Sequence, residues 1–318
     1  MKFFQYTTHI AIAISVLLAC KPEADSEKGS YLNGSSIAEL KTQRANATPL
    51  YNELAPIQEG NEKIFRVGIF FSYDDDPTII PGSQLRPNDL SIQAYQRVRE
   101  YFARTSDKGG VFLASGGGPK VVQEVPNRSV MFRGKGVSVG SSRESWTWEV
   151  TLVVGGIAEV TRAFGTSMAN HQITMLNGHF YSSQVGPTAN NGNGLTFDTD
   201  TLKRRVYTPA LDAFNAAKAA RNTNLPYRIV VFNGCGSEAV ENLVLERYGP
   251  GKIDMVGQRG VSNYRFFNLQ IIKFINAIVT GKNWLDTLQT LTFIAPEINN
   301  PTVPPQLRNV TPVLRSRY

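Results

Sequence analysis

The chain has 318 residues, 42% of them hydrophobic, with 33 Lys and Arg against 26 Asp and Glu, a formal net charge of +7 and only two cysteines. That length and apolar fraction can bury a real core, as one large domain or two small ones. The basic excess is spread out, densest at Lys203-Arg204-Arg205 and at Arg308, Arg315 and Arg317; no basic stripe interleaved with aromatics occurs, which argues against nucleic acid as a partner.

In chain order, the N-terminus offers one basic residue, Lys2, and then an apolar run from Ile10 to Ala19. A bilayer span needs about 20 apolar residues, so residues 1–19 read as a cleavable export signal. The run ends in Leu17-Leu18-Ala19-Cys20, which resembles the lipobox of bacterial lipoproteins. The resemblance implies lipidation of the Cys20 thiol, cleavage before it, and attachment to the bacterial cell envelope through acyl chains, several of which hold firmly where one would not. Lys21 rather than Asp after the cysteine implies the outer membrane. The alternative is an ordinary secretory leader with an incidental cysteine. Cleavage removes Lys2 and no acid, taking the side-chain charge from +7 to +6. No later segment is long and apolar enough to cross a membrane. With Cys20 spent on lipid, Cys235 is a single thiol where thiols are usually paired. It is either a buried cysteine acting as a small apolar residue, or a thiol kept for chemistry.

Residues 20–60 are polar and mixed, a lipidated cysteine and tether with a short helix around Ile37 to Arg44. From Ile64 the character changes, and residues 61–295 read as one α/β domain. Ile64–Phe71 is a buried-strand run, and Asp89–Ala103 has helical spacing through Leu90, Ile92, Tyr95, Val98 and Phe102. Residues 109–147 are rich in Gly, Ser and Arg and read as an insertion or hairpin. Strands follow at Trp148–Val154, Gln172–Asn177, Tyr227–Phe232 and Ile253–Val256. Helices are expected at Ile157–Phe164, Pro209–Ala220, Glu238–Arg247, Phe266–Val279 and Asn283–Leu291. A Gly/Asn/Thr loop fills 182–200, and 296–318 reads as a C-terminal tail. Strands alternating with helices predict an α/β fold with a mostly parallel sheet.

In such a sheet, functional groups gather at the carboxyl ends of the strands. Two strand ends carry nucleophile-type residues: Asn177-Gly178-His179 and Asn233-Gly234-Cys235-Gly236. On neighbouring parallel strands, His179 and Cys235 leave the sheet at one edge, where an imidazole can take the thiol proton. Gly178, Gly234 and Gly236 permit tight turns and let backbone N–H groups approach an oxyanion. Each residue also has a plain structural reading, His179 satisfying a loop carbonyl and Cys235 filling the core.

The two motifs, in the order His before Cys, resemble the caspase-like cysteine peptidases: caspases, metacaspases, clostripain, gingipains, legumain and CHAT domains. The stretch that follows, Ile253-Asp-Met-Val-Gly-Gln-Arg-Gly260, then Phe266–Thr280, then Gly281-Lys-Asn-Trp-Leu, is similar to clostripain-like and CHAT members. The resemblance covers about residues 64 to 292 and implies a three-layer α/β/α sandwich, with His179 as general base and Cys235 as nucleophile. It departs in having Gly178 before the histidine and Phe180 after it, and Asn233-Gly234 before the cysteine.

Asp74, Asp75 and Asp76 read first as a turn before Pro77, and alternatively as an acceptor for a basic substrate side chain. Arg259 would instead pair with an acidic one. Lys203-Arg204-Arg205 is a solvated charge cluster or a processing site. Asp198 and Asp200 offer oxygen ligands without EF-hand spacing, so calcium is a weak candidate; no zinc motif occurs, and no cofactor is expected. The expected partners are a protein or peptide substrate and, through the lipid, a membrane. The rival from another class is a non-catalytic envelope lipoprotein that binds a peptide or protein on the same fold.

Overall fold

The computed structural model describes residues 54–72, 90–139, 144–181, 194–196, 208–221, 227–234, 237, 252–259, 267–291 and 311–317. The elements run β1 (Ile57–Glu59), β2 (Glu62–Ser72), α1 (Leu90–Phe102), β3 (Lys120–Val125), β4 (Ser129–Lys135), β5 (Thr147–Gly155), α2 (Ile157–Asn170), β6 (Ile173–Asn177), β7 (His179–Tyr181), β8 (Gly194–Thr196), α3 (Thr208–Arg221), β9 (Tyr227–Asn233), β10 (Lys252–Arg259), α4 (Phe267–Val279), α5 (Trp284–Leu291) and β11 (Thr311–Arg317).

The main sheet has the order β11-β10-β9-β6-β2-β5-β4-β3, with β1 folded back on the start of β2; β7 and β8 form a separate parallel pair. Its centre, β5-β2-β6-β9-β10, is parallel throughout, and β3, β4 and β11 are antiparallel additions at the two sides. The fold is therefore α/β with a mostly parallel sheet, as the alternating pattern predicts. Central strands covered on both faces must be apolar along their whole length, and β2 is buried from Ile64 to Ser72.

Period-two alternation divides that core. Phe65, Val67, Ile69 and Phe71 join Val98 and Phe102 of α1, Phe274 of α4 and Leu288 of α5 in one cluster. Phe70, Leu176 and Phe232 join Val160 and Phe164 of α2 and Phe214 of α3 on the opposite face. Two glycines set how closely the second face packs. A Cβ on Gly68 would fall inside 3.0 Å of Ser167 Oγ on α2, and one on Gly165 would do the same to the Ala210 carbonyl on α3.

Two expectations change, and the hairpin alternative for 109–147 is met. The stretch 296–318, read as a tail, contributes β11, which pairs with the whole length of β10 from Ile253–Arg317 to Arg259–Thr311. The helix after β5 runs past Phe164 to Asn170, because Met168 and Ala169 continue its buried stripe. The 109–147 stretch holds a hairpin, β3–β4, which widens the sheet beyond β5. The helix expected at Glu238–Arg247 lies outside the described residues.

Near the amino ends of the strands an ion network replaces apolar packing. The Arg66 guanidinium donates from Nε to Glu149 at 2.6 Å and from both terminal nitrogens to Glu59 at 2.8 Å. Arg133 bridges Glu149, at 2.5 Å, and Glu62, so β1, β2, β4 and β5 are tied together. Among the described residues, no helix is long and apolar enough to cross a membrane.

Candidate active site at the carboxyl edge

The parallel strands β2, β5, β6, β9 and β10 follow each other in the chain but lie in space as β5-β2-β6-β9-β10. The direction of winding thus reverses between β2 and β6. The carboxyl ends of strands on either side of such a reversal are where open α/β sheets bind ligands, since the two crossover connections diverge there and leave a crevice.

Register across β2, β6 and β9 is fixed by buried polar side chains at both ends of the strands. At the amino end of β6, the Gln172 side chain accepts from the Arg66 N–H at 2.8 Å and donates to the carbonyls of Ala55 and Ile64, locking β6 against β2. At the carboxyl end, Asn177 Nδ2 donates to the Phe70 carbonyl at 3.0 Å, and Asn233 Nδ2 donates to Asn177 Oδ1 at 3.0 Å. Both asparagines are buried. Asn177 and Asn233 are also the last paired residues of β6 and β9. Their offset, 233 − 177 = 56, equals the 235 − 179 = 56 that separates Cys235 from His179. In the sequence, His179 and Cys235 each stand two residues after this matched pair, which ends the adjacent parallel strands β6 and β9.

The row next to these asparagines consists of small residues. Ser72 pairs with Gly155. One residue beyond the Phe71–Asn177 and Asn177–Asn233 pairs, Ser72 lies beside Gly178, and Gly178 beside Gly234. The sequence Gly155–Ser72–Gly178–Gly234 thus crosses four strands with one hydroxymethyl as its only side chain. Ser72 is 1% exposed, and its Oγ has no hydrogen-bond partner. That oxygen occupies the space a side chain at position 178 would need: a Cβ on Gly178 would fall inside 3.0 Å of it.

Comparison with protein-family models, with curated proteins and with solved structures gives no match.

Two backbone amides at the edge, those of Gly178 and Ser237, are already committed. The Gly178 N–H donates to the Asn233 carbonyl at 3.1 Å, so it is held in the sheet ladder rather than facing the crevice. The Gly234 carbonyl accepts from Ser237 N–H at 3.3 Å, and Ser237 Oγ donates to the Phe232 carbonyl at 2.8 Å. These two bonds hold Ser237 against Gly234 and Phe232 at the end of β9. Of the residues singled out in the sequence, His179 opens β7, whose backbone pairs with β8; its ring lies outside what is described. Arg259 ends β10 opposite Thr311, and its side chain too lies outside. Cys20, Asp74, Asp75, Asp76, Asp198, Asp200, Lys203, Arg204, Arg205, Cys235 and Gly236 are outside the described residues. His171 caps the C-terminus of α2, half-buried, at the amino end of β6 and so at the opposite edge. Among the described residues, no group of three or more His, Cys, Asp or Glu side chains could hold a metal ion.

Sequence reasoning passed over Ser72, Asn177, Asn233 and Gly155. A signal for the asparagines was present, because the same Asn-Gly dipeptide precedes both His179 and Cys235. Nothing local marks Ser72.

Proposed function

We propose that the protein is a lipid-anchored cysteine endopeptidase with a caspase-like sandwich, in which His179 and Cys235 form the catalytic dyad. One observation carries the reading: β6 and β9 are adjacent and parallel with a register offset of 56, the spacing of the two residues themselves. In the reaction, the Cys235 thiol gives its proton to the His179 imidazole and the thiolate attacks a peptide carbonyl carbon. The S–C bond forms as the carbonyl π pair moves to oxygen. On collapse the C–N bond breaks and His179 returns the proton to the leaving amine. Water then hydrolyses the thioester, with His179 taking its proton and Cys235 leaving as the thiol. In this reading the lipid on Cys20 holds the site at the bacterial cell envelope, on the outer membrane.

The test is the rate of iodoacetamide alkylation of the purified chain across pH, against His179→Ala. Fast alkylation at neutral pH that slows on losing the imidazole supports an activated thiolate. Slow alkylation in both proteins refutes the dyad. A second reading, a non-catalytic binding protein on the same fold, is favoured by β3. This edge strand is exposed along its whole length, with Val121, Val122 and Val125 at 48%, 51% and 45% exposure, and an open strand edge accepts an extended peptide as a further strand.

A further inference from the structure

Resting on the lipid-anchor reading, we infer that the corner of the sheet where β3 begins and β4 ends is a docking surface for anionic phospholipid headgroups. The loops before β3 fold against that corner: Ser106 N–H donates to the Phe112 carbonyl at 2.6 Å, Gly110 N–H to the Thr105 carbonyl at 2.9 Å, and Leu113 N–H to the Lys135 carbonyl at 2.7 Å. Lys120 opens β3 opposite Arg133, and Lys135 closes β4 opposite Thr147. Arg104, Lys108, Lys120 and Lys135 are thereby gathered at one corner, all four exposed, and Asp107 is the only acid between residues 104 and 120. The neighbouring acids are matched already: Glu59 by Arg66, Glu62 by Arg133 and Glu144 by Lys63. The corner therefore keeps an excess of positive charge. Beside Lys120, Val121 and Val122 are 48% and 51% exposed, and cations flanking exposed apolar side chains suit a surface that rests in a headgroup layer.

Position selects the partner. β3 runs in the same direction as β2, so Lys120 lies at the amino edge of the sheet. The described residues begin at that same edge, where the Ala55 carbonyl accepts from Gln172 at 2.9 Å beside the start of β6. Leu54 stands 54 − 20 = 34 residues after Cys20, a length that spans at most about 110–120 Å. Either edge can therefore reach the bilayer, and charge decides which one rests on it: each Lys or Arg near an anionic surface strengthens binding about fivefold. With the amino edge down, the carboxyl edge is held farther out by the length of β5, nine residues or about 30 Å. The candidate active site then faces away from the lipid, toward proteins and peptides in solution.

The experiment uses the full chain carrying Cys20→Ala, which has no thiol for lipid, and phosphatidylcholine vesicles with or without about one-third phosphatidylglycerol. Co-sedimentation at low salt, where surface charges are least screened, reads the partition coefficient. The expected result is binding that requires phosphatidylglycerol and falls about 25-fold when Lys120→Gln and Lys135→Gln are combined. It should stay within about twofold in Arg128→Gln, an exposed cation at the far end of the β3–β4 hairpin. Arg104→Gln with Lys108→Gln, on the adjoining turn, gives the same reading should the first pair lower the thermal midpoint. Binding indifferent to phosphatidylglycerol overturns the inference, as does an equal loss in Arg128→Gln, since net charge and not the corner would then be at work. Binding to polyglutamate in place of the vesicles would assign the corner to an acidic protein and also overturns it. The anchor is read separately, from the mass of the wild-type protein's amino terminus. An unacylated Cys20 refutes the anchor and the orientation with it, whereas vesicle binding that fails beside an acylated Cys20 refutes the corner and leaves the anchor standing.

Discussion

Gly178→Ala tests the crowding at the winding reversal. The backbone there is of ordinary handedness, since Gly178 is not among the positive-φ glycines, so the substitution acts through space alone. The new methyl would lie inside 3.0 Å of Ser72 Oγ and 3.3 Å from Ser72 Cβ. Ser72 is enclosed, 1% exposed, so the clash must be relieved by moving one strand end, at about 1–3 kcal/mol for an overpacked core. Ser72→Ala by itself removes an oxygen that holds no hydrogen bond. It should therefore change stability by less than about 1 kcal/mol, since a relieved desolvation cost offsets the contacts of one lost atom. In the double variant the close oxygen is gone and only the 3.3 Å approach to Cβ remains, so most of the Gly178→Ala penalty should vanish. The expected coupling is about 1–2 kcal/mol in favour of the pair, within the range for residues in contact. Urea unfolding of the four proteins, compared at constant m-value, reads it directly. Additive effects, or a Gly178→Ala protein as stable as wild type, would show that Ser72 Oγ does not fill the space over Gly178.

Other perturbations test the frame that holds this edge. Glu149→Ala strips an acceptor from both Arg66 and Arg133; with the Arg66 and Glu149 side chains only 8% and 10% exposed, the loss should be about 3–5 kcal/mol in urea unfolding. Asp254→Ala removes the carboxylate that accepts from Tyr227 Oη and Trp284 Nε1, both at 2.8 Å; losing these two buried bonds should cost about 2–4 kcal/mol, with a change in tryptophan emission. Tyr101 donates to Asn276 Oδ1 at 2.7 Å, joining α1 to α4, and burial raises its pKa above the usual tyrosine value. Its contribution is fully present below the unfolded value of about 10 and lost as pH rises toward the folded one. Stability should therefore fall in the alkaline limb for wild type and more gently for Tyr101→Phe, and parallel limbs would refute the assignment.

Much of the chain's architecture is legible in its sequence by itself. Fold class follows from apolar runs such as Ile64–Phe71 and Tyr227–Phe232, because strands buried on both faces have to be continuously hydrophobic. The helix at Leu90–Phe102 follows from buried residues recurring at Tyr95, Val98 and Phe102, a 3.6-residue period. The two Asn-Gly strand ends likewise mark where polar chemistry replaces core. Strand order is not legible, because any parallel crossover of similar length satisfies the same local pattern. Only the assembled sheet puts β6 between β2 and β9, turns Asn177 and Asn233 into partners 56 residues apart, and recruits Thr311–Arg317 as an edge strand. Ser72 shows the difference most plainly. In the sequence it is one more residue ending an apolar run; in the fold it is a buried hydroxyl over Gly178, because non-local register alone decides which atoms meet across a sheet.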